Sequence, residues 1–205
     1  MKTITGLFDS HDEADRAVRS LKDAGVNGED ISIVANNADG KHDTETGDDV
    51  AEGAGAGAGV GAVVGGTGGL LAGLGMLAIP GVGPVVAGGW LLATAIGAVT
   101  GAAVGGAAGG IIGALTDAGV DERDAHVYAE GVRRGGILVT ARVEDSRADA
   151  AAAILHDSSV VDIAARRRDY EAEGWEGFDE NSEPYPADQI RDYRASLIAP
   201  PILRS

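Results

Sequence analysis

Cysteine is missing from all 205 residues. Disulfides, thiolate nucleophiles and cysteine-ligated zinc or iron–sulfur centres are thereby excluded, although no compartment is fixed. Aromatic residues make up only 4% of the chain, which argues against a large soluble core. Basic side chains are scarce as well: 16 Lys and Arg stand against 32 Asp and Glu, a formal net charge of -16. No net positive field exists to displace counterions from a phosphate backbone, so no nucleic-acid partner is expected. The N-terminus, MKTITGLFDS, has no basic segment followed by an apolar one, and no cleaved signal peptide is expected.

The last absence is positional. No charged side chain occurs between Glu52 and Asp117. Within this stretch Gly53, Gly57, Gly61, Gly65, Gly69 and Gly73 recur at a spacing of four. A second series, Gly89, Ala93, Gly97, Gly101, Gly105, Gly109 and Gly113, follows the segment IPGVGP (Ile79 to Pro84). On a helix that spacing lines small residues along one stripe, where two backbones can approach closely. Pro80 and Pro84 lack the N–H needed inside a helix, so IPGVGP reads as a turn. The spacing predicts a glycine-zipper helical hairpin over residues 53–116, with Gly53, Gly57, Gly61, Gly65, Gly69 and Gly73 of the first series and Gly97, Gly101, Gly105, Gly109 and Gly113 of the second as its helix-packing residues.

Glycine's helix cost bears on the surroundings of that hairpin. Each interior glycine costs about 1 kcal/mol relative to alanine, so neither arm would be stable alone in water. In hydrocarbon an unpaired backbone group costs several kcal/mol, which forces a helix whatever the propensity. The arms 58–79 and 85–107 are long enough for the roughly 20 residues a span requires. A transmembrane hairpin is therefore expected, with lipid as a partner and both termini cytoplasmic. Trp90 would either anchor at the far interface or pack on the other arm. Zipper stripes can also pair between hairpins, so a homo-oligomer is expected. A soluble homo-oligomeric scaffold that buries its hairpins against one another is the alternative.

The flanks carry the folded part. Residues 1–37 read as β-α-β: a strand from Lys2 to Phe8, a helix opened by Ser10 and Glu13 at capping-box spacing, and a strand at Ile31 to Ala35. Residues 38–52 form an acidic linker. Residues 117–168 supply a helix capped by Asp121, then a strand at Ile137 to Val143, a helix with Ser146 and Asp149 at capping-box spacing, and a last strand at Val160 to Ala164. The two β-α-β halves suggest a ferredoxin-like α+β sandwich with the hairpin inserted between its second and third strands. The tail, residues 169–205, reads as acidic and largely extended, with a short helix at Ala187 to Ser196. Trp175, Phe178 and Tyr185 are candidates to pack back on the domain or to bind a partner.

No chemistry-bearing constellation emerges. His11 sits beside a helix cap, His42 lies in the linker, and His126 and His156 are isolated. The acidic linker lacks the register of a calcium loop. The glycine stretch has no lysine for a phosphate loop and no strand before it for a dinucleotide fingerprint. No catalytic, cofactor-binding or metal residue is assigned, no small-molecule substrate is identified, and no enzyme is expected. A small-ligand regulatory module remains a further alternative. Arg166, Arg167 and Arg168 form the one basic cluster, read either as a solvated strand end paired with the acidic tail or as a contact to anionic headgroups.

TGLFDSHDEADRAVRSLKDAGVNGEDISIVAN, then GLLAGLGMLAIPGVGP, then DAHVYAEGVRRGGILVTARV, resembles in order the bacterial general stress protein and heat-induced stress protein (YflT-like) domain family. The resemblance covers roughly residues 3 to 165. It implies a stress-induced, membrane-associated, non-enzymatic bacterial protein, and it carries no catalytic residues onto this chain.

Overall fold

The structure is a computed structural model that describes residues 1–38, 75–91 and 110–198. Its first elements follow the sequence closely. Strand β1 (Lys2–Phe8) sends Ile4 and Phe8 to one face and Leu7 to the other. Helix α1 (His11–Asp23) starts where the Ser10 hydroxyl accepts the Glu13 N–H at 3.4 Å. Its buried stripe is Ala14, Ala17, Val18 and Leu21, spaced for one helical face. Strand β2 (Ile31–Asn36) is buried along its length.

The remaining described elements are β3 (Gly75–Ile79), β4 (Gly83–Gly88), α2 (Ile111–Asp117), α3 (Glu122–Arg133), β5 (Ile137–Val143), α4 (Ala148–Asp157), α5 (Ile163–Ala172) and α6 (Ala187–Ile198). The sheet order is β1-β5-β2-β4-β3, and every neighbouring pair is antiparallel. β5 thus lies between β1 and β2, which run in the same direction, so the first β-α-β is split. One face of the sheet packs on α1 and α4, through Phe8, Ile33, Val139 and Val143 against Val18, Leu21 and Leu155. The other face packs on α2 and α3, through Leu7, Val34 and Leu138 against Leu115, Tyr128 and Val132. Each fully buried aliphatic side chain here contributes about 1.5–3 kcal/mol, and both faces carry several. The result is α+β, with helices covering both faces of one five-stranded sheet.

Three expectations are corrected. The IPGVGP turn is present, but strands flank it in place of membrane-spanning helices. Residues 75–79 and 83–88 form a β-hairpin that extends the sheet beyond β2, and no helix among the described residues is long and apolar enough to cross a membrane. Short apolar runs do not separate strand from helix by periodicity, and here the open edge of β2 satisfies the backbone of Val85 and Val86. The last strand at Val160 to Ala164 does not form either. Val161 gives one N–H to Leu7 O at 2.8 Å. Asp162 then caps α5 by accepting the Ala165 N–H at 3.0 Å, so a capping carboxylate overrides two β-branched valines. The second capping box is absent as well. Asp145–Arg147 makes a 3-10 turn, and α4 begins at Ala148 without a side-chain cap.

Asn36 joins three parts of the fold. Its buried side-chain amide donates to Val82 O in the hairpin turn at 3.3 Å and to Arg133 O at the end of α3 at 3.4 Å. Its Oδ1 accepts the Ala38 N–H at 2.8 Å. Asn36→Ala leaves buried carbonyls without their donor, and a loss of about 1–3 kcal/mol is expected in urea denaturation. A loss below half a unit of that scale would show that the turn is held by its apolar contacts alone.

Candidate functional site

Helix α3 ends in Glu130, Arg133 and Arg134, and the C-terminal residues fold back onto this end. Glu130 is wholly buried. Arg134 Nε donates to Glu130 Oε1 at 2.7 Å, and its Nη1 donates to Glu173 Oε2 at 2.5 Å. The same guanidinium lies 4.1 Å from the Tyr170 ring centroid and 5.3 Å from that of Tyr193. Arg133 Nη1 reaches the other Glu130 oxygen at 3.4 Å, its Nη2 donates to Glu183 O at 2.9 Å, and its guanidinium lies 4.4 Å from the Tyr185 ring. Planar guanidinium suits this arrangement, because it can stack on rings while its edges donate to carboxylates.

A second anchor joins the tail to the loop between β1 and α1. Arg166 donates through both terminal nitrogens to Asp9, at 3.0 and 2.7 Å, and Nη1 also reaches the Tyr193 hydroxyl at 3.4 Å. Arg194 donates to Gly135 O from Nε at 2.9 Å and from Nη2 at 2.5 Å. Arg167 pairs with Asp124 of α3, and His126 Nδ1 accepts the Phe178 N–H at 3.1 Å. Burial works against the charge of Arg134, yet its bonds to Glu173 and Glu130 outweigh it and hold the guanidinium above its ordinary range. Arg166 is raised in the same way against burial, by Asp9. Burial, and then Tyr193, pushes the Tyr170 hydroxyl above the usual phenol range.

The tail also touches the hairpin. Gly81 has a φ of +73, and a Cβ there would lie 2.7 Å from Asp179 O; only glycine fits both constraints. A Cβ on Gly83 would lie 2.8 Å from Pro184 Cβ. Residues 163–198 therefore strap α3, the β1–α1 loop and the hairpin turn together. Chemically, the contact runs both ways: Arg133 and Arg134 of the domain hold Tyr185, Tyr170 and Glu173 of the strap, and Arg166 and Arg167 of the strap hold Asp9 and Asp124 of the domain.

The structure relocates the residues singled out from sequence. Gly53, Gly57, Gly61, Gly65, Gly69, Gly73, Gly97, Gly101, Gly105 and Gly109 lie outside the described residues, as do His42 and residues 39–52 of the linker. Gly113 is half-buried in the short helix α2, where its carbonyl accepts the Thr116 hydroxyl at 3.0 Å. Trp90 packs at the end of β4 and donates to Asp30 O at 3.1 Å, with the Arg142 guanidinium 4.8 Å from its ring. Arg166 and Arg167 are helical and paired, in place of a solvated strand end. The tail is not largely extended: the expected helix at Ala187 is there, and α5 precedes it across the expected boundary at 168. No cluster of metal-ligating side chains occurs among the described residues. Of the tail aromatics named as candidates to pack back on the domain, Trp175 meets Tyr170, Phe178 packs on the second core face and Tyr185 lies under Arg133. Sequence reasoning missed Glu130 and Arg134, whose signal is an i,i+4 pair on one helix.

The N-terminal elements β1, α1, β2 and β3 follow one another along a single stretch of chain. Residues 3–81 match the heat induced stress protein YflT domain. The YflT-like segment is less than half of the 205 residues and ends at Gly81, inside the hairpin turn. Strand β5, which separates its first two strands, comes from beyond it. Comparison with curated proteins and with solved structures gives no match. Asp9 and Gly81, where the strap docks, both belong to the YflT-like segment, whereas Arg166 and Asp179 lie outside it.

Proposed function

We propose that this chain is a non-enzymatic general stress-response protein that works by self-assembly, as a homo-oligomeric scaffold. The YflT match over residues 3–81 supports the stress-response role. One observation carries the scaffold reading over the lipid-anchored one. Residues 75–79 and 83–88, taken from the middle of the charge-free stretch, are committed to the outer hairpin of a sheet. Backbone groups paired in this sheet are unavailable to helices that would span a bilayer. The ferredoxin-like relationship is kept for the split β-α-β at the β1 side of the sheet, with β5 in the inner position.

Cell fractionation tests the reading. The chain is expected in the fraction released at high salt without detergent, at a mass by light scattering of at least two copies. Recovery only with detergent would favour a lipid anchor with cytoplasmic termini, built from the charge-free residues outside the hairpin.

A further inference from the structure

We propose that the outer edge of β3 is the surface on which two copies of this chain join, as antiparallel neighbours about a two-fold axis midway between their Leu77 residues. This rests on the self-assembly reading above and names its interface.

The register follows from a proline. Among the described residues β3 is last in the sheet order, and its partner β4 places Pro84 opposite Ala78. Pro84 has no N–H, and its carbonyl accepts the Asn37 N–H at 2.9 Å on the β2 side. In an antiparallel pair both polar groups of a residue point the same way, so Ala78 and Pro84 form a pair without mutual hydrogen bonds. The backbone N–H and C=O of Ala78 then point outward, and by the period of two so do those of Met76. These two residues lie symmetrically about Leu77. A second copy turned through half a revolution sets Met76 opposite the partner's Ala78 and Ala78 opposite the partner's Met76. Each of those pairs exchanges both of its bonds, and all five residues from Gly75 to Ile79 find a partner.

Two further observations favour a second copy as the occupant. The opposite edge of the sheet is guarded: β1 carries Lys2, Val161 donates to Leu7 O, and Val160 Cγ2 lies 2.8 Å from where a Gly6 Cβ would be. β3 has neither a charge nor a proline of its own, the guards that edges ordinarily carry. Charge points the same way. Two chains of net charge -16 repel, and the charge-free hairpin lets them meet with little penalty. Among the described residues, Asp179 and Glu180 pack at Gly81 and Glu183 adjoins the Pro184 packed at Gly83. Gly81 is four residues from Leu77, so at about 3.4 Å per residue the two turns lie on the order of 27 Å apart. That is well beyond the screening length of about 8 Å at physiological salt.

The absence of cysteine makes the test clean, because an introduced thiol has no competitor. In the proposed register Leu77 faces itself as a non-hydrogen-bonded pair, with Cα atoms about 4.5 Å apart, within disulfide range. Ala78 is displaced from its own copy by two further residues, beyond that range. Mild oxidation of full-length Leu77→Cys is expected to give a covalent dimer at least tenfold faster than Ala78→Cys. Ala78→Lys, which guards an exposed position, is expected to lower the assembled mass with an unchanged circular dichroism spectrum. If the unmodified chain is a monomer by light scattering, the self-assembly reading itself falls, and this interface with it. If it assembles while Leu77→Cys crosslinks no faster than Ala78→Cys, or Ala78→Lys assembles normally, only the interface is overturned.

Discussion

Glu130→Ala is expected to lower the stability of the folded chain by about 3–5 kcal/mol, the usual cost of removing one member of a buried ion pair. Glu130 is wholly buried and holds both Arg133 and Arg134. Without it, Arg134 keeps one carboxylate, that of Glu173, whose side chain is 57% exposed. That single partner, shared with water, does not offset the desolvation of a guanidinium that is only 8% exposed. Glu130→Gln keeps the shape and an acceptor, and should cost much less. Replacing Glu130 and Arg134 together, Glu130→Leu with Arg134→Met, should recover part of the loss, because Arg134 is then no longer a buried cation without its partner, while Arg133 keeps the Glu183 carbonyl and the Tyr185 ring. Urea denaturation followed by circular dichroism measures all three. A loss below 1 kcal/mol for Glu130→Ala would show that Arg134 simply swings into solvent.

Tyr170→Ala is expected to cost about 3–5 kcal/mol, as for other buried rings cut back to a methyl group. The ring is wholly buried, lies under Arg134, and meets Trp175 edge-on at 5.6 Å and 66°. It is the largest fully buried side chain of the strap, so its loss should free residues downstream of α5. Trp175 is one of two tryptophans, and its emission should shift to the red. Limited proteolysis should cut the variant between α5 and α6 before the sheet is touched. Alkali gives a second reading of the same contact. The folded-state pKa of Tyr170 is raised, by burial first, so its share of stability is complete below the ordinary phenol value of about 10 and falls as pH climbs past it. Unchanged emission and cleavage in Tyr170→Ala would mean that the arginine pairs alone suffice.

These contacts mark the boundary of what local pattern reveals. The alternation in Lys2–Phe8, the cap at Ser10, the stripe from Ala14 to Leu21 and the helix capped by Asp121 are local signals, and the structure follows them. Residues 75–88 were ambiguous for a physical reason. Short apolar runs on either side of a proline turn, Met76 to Ile79 and Val85 to Ala87, suit a helix in one solvent and a strand beside an open edge in another. Here β2 offers that edge. Val160-Val161 invited a strand, and Asp162 decided for a helix one residue later. The strap depends on pairs far apart in sequence, such as Asp9 with Arg166 and Arg134 with Glu173. No periodicity encodes such pairs, although the acidic and aromatic content of the tail named the right kind of segment.

The place of β5 between β1 and β2 also sets a clock on the ribosome. Both flanking strands are made before the strand that joins them, and about a hundred residues separate Asn36 from Ile137. At roughly 5–20 residues per second, on the order of 5–20 s pass with the facing edges of β1 and β2 bare. A nascent chain in that interval presents two apolar strands with nothing yet between them, and during heat stress those seconds are when a chaperone would matter most to it.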